Sequence, residues 1–138
     1  MSSQTAADDL TIPDSAILWR RVRYDQTSFD HDQRRLRPSS KAFQDVEQGG
    51  VKALSVFLAE IEHAAGHTAG DILRNHPDFG LVAVTAGVMR ACGLTIVRNP
   101  TQENPGHAHV VGKKTGSVRS KIAKSAQWVV EAPQPPES

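Results

Sequence analysis
Cysteine is almost missing from this chain. Cys92 is the single one among 138 residues, so an intramolecular disulfide is excluded and a reducing compartment is the expected setting. Aromatic residues make up only 5%, which leaves Val, Ile, Leu and Ala to build the core. No long apolar run exists. The longest, Leu81–Met89, is interrupted by Thr85 and falls far short of the roughly 20 residues a membrane-spanning helix needs. Ser2–Asp9 is polar and lacks the apolar stretch of a secretory signal. A strong excess of one charge is missing too: the net charge is +1 and the pI about 8.0, below the value of about 9 usual for a nucleic-acid-binding domain. These absences predict a cytoplasmic protein with no membrane partner, and they disfavour a nucleic-acid one.

What is present fits one domain. Residues 1–14 are polar, and residues 132–138 are rich in Pro. Neither end buries enough apolar surface to offset its ordering entropy. The expectation is a flexible N-terminal segment over 1–14, a globular domain over 15–131 and a flexible tail over 132–138. Charge is uneven along the chain. Residues 18–41 carry seven Lys/Arg against three Asp, residues 44–78 carry six Asp/Glu against two Lys/Arg, and residues 105–128 carry five Lys/Arg and no acid.

Residues 17–24 predict a first strand through Trp19, Val22 and Tyr24. Residues 25–41 read as an Arg-rich loop, ending in a short turn capped by Ser39 or Ser40 and closing at Phe43. Leu54, Phe57, Leu58, Ile61 and Ala65 follow helical spacing and predict a helix over 51–65; a strand at Leu54–Leu58 is the rival reading. Thr68 and Asp71 have capping-box spacing for a short helix. Phe79–Val84 predicts a strand, Thr85 an N-cap and Gly93 the stop of a two-turn helix. Strands at Leu94–Val97 and 107–111 and a helix over 117–129 complete the chain. The link between the strands at 79–84 and 94–97 is short for a parallel crossover. The expected fold is therefore α+β: one small domain, a mixed or mainly antiparallel sheet of about four strands, and three to four short helices.

Three groups of residues carry candidate chemistry. The first is the turn Gly112-Lys113-Lys114-Thr115-Gly116 at a helix start. Lys113 and Lys114 supply charge, Ser117 a cap, and the backbone up to Arg119 unpaired N–H groups, which together suit an anion. Gly106 and Gly112 have five residues between them where a Walker loop has four, and Lys114 stands where it needs Ser or Thr, so that type of nucleotide hydrolysis is disfavoured. The second group is His107 and His109, which share one face of a strand and have the chemistry of an acid–base pair. His63 and His67 form another pair, but Gly66 breaks the helix between them, and no metal site is assigned. The third is the Arg cluster 20, 21, 23, 34, 35 and 37, interspersed with Asp25, Asp30 and Asp32. Arg20 and Ser55 suit an Arg–Ser–Glu arrangement for ADP-ribosyl transfer, but neither Glu103 nor Glu131 fills its third place. Cys92 reads as a structural thiol.

No complete catalytic set is present and no cofactor is implied. The function expected is an interaction module whose basic surface meets a protein partner or another acidic or phosphorylated ligand. The alternative is a small His-dependent hydrolase or nuclease using His107 and His109 with Lys113.

Overall fold
The computed structural model describes residues 7–48 and 50–134. In chain order the elements are β1 (Ile17–Arg23), β2 (Thr27–Asp30), β3 (Arg35–Pro38), β4 (Val46–Gln48), β5 (Val51–Leu58), α1 (Ala59–Ala64), α2 (Ala69–Ile72), β6 (Phe79–Thr85), α3 (Ala86–Ala91), β7 (Thr95–Arg98), β8 (His107–Val111), α4 (Gly116–Ser125) and β9 (Gln127–Val130), with a 3-10 turn over Ser40–Phe43. Seven strands form one sheet in the order β7-β8-β5-β1-β6-β9, with β4 also on β5, and β2–β3 is a separate hairpin. Every pairing is antiparallel. The α+β class and the antiparallel sheet stand as expected, but the sheet is nearly twice as wide as the sequence suggests.

Three segments differ from expectation, each for a physical reason. Residues 51–58 form a strand followed by the short α1, not one helix. Leu54, Val56 and Leu58 enter one core, while Phe57 enters another. A strand buried on both faces reads as a continuous apolar run, and such a run can mimic helical spacing. Residues 27–38 make a hairpin where a loop was expected. Asp30 Oδ1 accepts from the Asp32 and Gln33 amides at 2.9 and 3.1 Å, and Arg34 takes a left-handed φ of 53°, so the polar run is a turn. Helix α4 stops at Ser125, and Gln127–Val130 joins the sheet beside β6. Val129, the last residue of the expected helix, is exposed on that strand.

Local signals fare better. The Thr85 hydroxyl accepts from the Val88 amide, and Gly93 has a φ of +81°. Thr68 and Asp71 close the capping box. Ser39 caps the 3-10 turn. The strands β6 and β7 run the same way but are not neighbours; three strands lie between them, and α3 carries the crossover.

The sheet has two unlike faces. One is covered by α3, α4 and the 3-10 turn, whose Met89, Ile122, Ala126 and Phe43 meet Leu18, Val22, Val56, Val82 and Val110. On the other, α1 and α2 cover only part of the surface, around Trp19, Phe57, Ile72 and Leu81. Residues 8–14, set outside the domain by composition, contact it. Ile12 is buried, the Asp9 amide donates to the Ile96 carbonyl at 2.8 Å, and Asp8 accepts from the Ile96 amide at 2.9 Å. These bonds cover the free edge of β7. Arg90 holds Asp8 and Asp14, and Arg98 holds Asp9, all at 2.8 Å.

Candidate anion-binding cleft
The uncovered half of the second face is a cleft of about 570 Å³. Its floor is built by alternation. Ala53, Ser55 and Phe57 of β5 and His107 and His109 of β8 point the same way, and Ser55 lies opposite His109 and Phe57 opposite His107 across the strand pair. Asn99, Thr101 and Asn104 from the β7–β8 loop form one wall, and Arg20 and Arg21 approach from β1. No Asp or Glu is among the cleft's lining residues.

Two arginines adjacent on a strand should point to opposite faces, yet both reach this cleft. The register explains it. Strand β1 pairs with β5 only at Leu18 and Trp19, and β4 takes over β5 from Ala53. A notch remains between them. The Arg20 side chain fills it, donating from Nε to the Ala42 carbonyl and from Nη1 to the Ser55 carbonyl, both at 3.0 Å. Its Nη2 makes no protein hydrogen bond among the described residues. Burial, reinforced by the charges of Arg21 and Arg23, pushes its pKa down to about 10, so it stays cationic at neutral pH. Arg21 donates from Nε to the Ile72 carbonyl at 2.9 Å and lies over the Phe57 ring at 4.7 Å, a cation–π contact. Its two terminal amines have no hydrogen-bond partner among the described residues. Burial lowers its pKa while Glu62 opposes the shift.

The two histidines are held as a pair, with ring centroids 5.2 Å apart and nearly perpendicular. His107 Nδ1 donates to the Asn99 carbonyl at 2.9 Å. That bond puts the proton on Nδ1 and leaves the Nε2 lone pair unused. The Asn99 side-chain amine lies 3.3 Å from both His107 Nδ1 and His109 Nε2; with His107 Nδ1 already a donor to the carbonyl, the amine's acceptor is His109 Nε2, which assigns the His109 proton to Nδ1. One imidazole thus offers an acceptor and the other a donor. Burial, and then the neighbouring His107, lower the His109 pKa and favour its neutral form.

The loop carrying Asn99 and Asn104 is anchored from below by Glu62, which is 0% exposed and the one fully buried charged residue among those described. It accepts from the Gly106 amide at 2.9 Å and the Asn104 side chain at 3.3 Å, and it holds His67 Nδ1 at 2.6 Å. Nothing in the sequence marks Glu62. Its one signal is position: a Glu on the inner face of a short helix.

The other expected residues are placed as follows. Lys113 and Lys114 line a separate hollow with Asp45, Lys52 and Arg119, away from the histidines. The Lys114 side chain is 2% exposed and lies 2.6 Å from Asp45 Oδ1, so its charge is already answered within the protein. Arg119 Nε donates to the Lys114 carbonyl at 3.3 Å. Thr115, not Ser117, caps α4, accepting from the Val118 amide, because the helix begins one residue earlier than expected; Ser117 is exposed. His63 stacks edge-on against Trp19 at 5.0 Å, apart from His67. Among the described residues no three His, Cys, Asp or Glu side chains form a metal set. In the Arg cluster, Arg23 pairs with Asp25, Arg35 with Glu131, and Arg37 donates to the Ala126 carbonyl at 2.6 Å. Cys92 is half-buried against the main core. No described helix is long and apolar enough to cross a membrane. No known protein family matches the chain, and neither a curated protein nor a solved structure is detectably similar to it.

Proposed function
We propose that the protein is a binding module for a phosphorylated ligand, taken up in the open-face cleft rather than at the Lys113–Lys114 turn. One observation carries the reading: two guanidinium groups with unused amines and two imidazoles line a hollow that has no carboxylate in its wall. Guanidinium groups match the fork of phosphate oxygens. The complementary histidines suit a phosphate monoester, which presents acceptor oxygens and, near neutral pH, a proton. The test is a thermal melt of the protein in inorganic phosphate and in AMP. Both ligands should raise Tm, as binding to the folded state alone does. Arg21→Gln and His107→Ala should each remove most of the rise, while Lys113→Ala leaves it intact. No rise in the unmodified protein, or a rise lost only in Lys113→Ala, would refute the cleft.

A second reading, hydrolysis of a phosphodiester, draws on the Asn99 carbonyl, which fixes His107 in the tautomer a general base needs. It uses His107 and His109 without Lys113. Turnover of bis(p-nitrophenyl) phosphate above the buffer rate, lost in His107→Ala, would support it. Wild-type protein that releases no nitrophenol would discard it.

A further inference from the structure
The cleft does not end at Arg21. Across Arg21 and Asn104 lies a second hollow of about 510 Å³, bounded by His67, Arg74, Asn75 and His76. Arg21 and Asn104 belong to both walls. Each lobe alone has the size of a small-ligand pocket, roughly 300–1,000 Å³. Resting on the phosphate reading above, we infer that the ligand is a dinucleotide whose bridging phosphodiester sits on Arg21, with one nucleoside in each lobe.

Arg21 is built for the middle position. Its Nε is committed to the Ile72 carbonyl and its face to Phe57, which orients the group, and its two other nitrogens have no partner among the described residues where the lobes meet. The first lobe offers its apolar surface at Val46, which is half-exposed, beside the nearly buried Ala53 and the Phe57 ring that Arg21 covers, and a base can pack there. The second is more polar. Glu62 fixes His67 by Nδ1 and leaves Nε2 without a partner among the described residues, on a side chain that is 31% exposed. Arg74, at the rim, is paired with Asp71, and Glu103 also lies there. With its one rim arginine already answered by Asp71 and a second carboxylate nearby, this lobe suits a sugar and base better than a cluster of phosphates. A single diester charge at Arg21 meets both conditions.

Isothermal titration should compare the four homodinucleotides pNpN, the matching mononucleotides, and oligomers of five and ten residues. At least one dinucleotide should bind tenfold or more tightly than its mononucleotide, with no further gain in the oligomers. Asn75→Ala, at an exposed side chain of the second lobe, should erase most of that gain and leave mononucleotide affinity within twofold. His67→Gln should also erase the gain, and the Asn75 variant keeps the test open should His67→Gln unfold the protein. Equal affinity for mono- and dinucleotides, or dinucleotides that fail to bind while phosphate does, would overturn the inference and leave the cleft standing. So would affinity that climbs with chain length and falls steeply with salt, the mark of an open strand. Failure of phosphate itself would remove the cleft reading as well.

Discussion

Arg20 Nε and Nη1 answer two carbonyls that no strand reaches, those of Ala42 and Ser55. The residue holds the 3-10 turn to β5 and spans the notch where β1 and β4 part. Replacing it with Met keeps the apolar stem but orphans both acceptors. With about 1–3 kcal/mol per unsatisfied buried group, Arg20→Met should lower stability by about 2–6 kcal/mol, read as a reduced urea midpoint at unchanged slope. An unaltered midpoint would mean that water replaces the guanidinium at no cost. Glu62 works in the opposite direction, as a buried acceptor for three donors. Hydrogen bonds to charged groups contribute about 1.5–3 kcal/mol, so Glu62→Ala should speed exchange of the Gly106 amide by about 10- to 100-fold in native-state hydrogen exchange. Unchanged exchange at Gly106 would show that the loop does not need its anchor.

At the level of elements, the β7–β8 loop meets its anchor only because Gly106 lacks a side chain. A Cβ there would stand 2.7 Å from the Leu58 carbonyl and 2.9 Å from Glu62 Oε2. Gly106→Ala should therefore cost about 1–3 kcal/mol, the usual range for overpacking, and should displace Asn99 and Asn104 with the loop. A denaturation midpoint equal to that of the unmodified protein would count against this. The elements also explain what the sequence disclosed and what it hid. Caps at Thr68 and Thr85 and the stop at Gly93 depend on residues three or four apart, and they are legible as written. Strand β5 is not, because its two buried faces remove the alternation that marks a strand. The same-face relation of His107 and His109 follows from a spacing of two. Their company does not: Arg20 and Ser55 are 35 residues apart and meet only through the order β8-β5-β1. The Lys113–Lys114 turn was conspicuous in sequence because its charges are adjacent. The acid that answers Lys114, Asp45, lies far along the chain, and only the fold brings the two together.

For the whole molecule, the perturbed acids and imidazoles share a sign. His76 and His109 have folded-state pKa values lowered mainly by burial. The unfolded chain therefore binds more protons once pH drops toward 6.5, and stability falls there. Asp8, Asp9 and Asp71 are held below the ordinary aspartate value of 3.8 by their hydrogen bonds and arginine partners. Their contribution is complete above 3.8 and is lost as pH falls through their lower folded values. Calorimetric Tm should thus be level above pH 7 and decline through two steps toward pH 3. A Tm that rises between pH 7 and 5.5 would contradict the first step. Strand β1 sits at the centre of the sheet, between β5 and β6, yet it precedes both in the chain. A ribosome adding about 5–20 residues per second releases β1 seconds before β6 exists. For that interval Leu18, Trp19 and Val22 emerge with no surface to cover them. The newborn chain depends on whatever shields an unpaired apolar strand, and its folding rate after release should be that of a sheet assembled from distant partners, in the range of milliseconds to seconds.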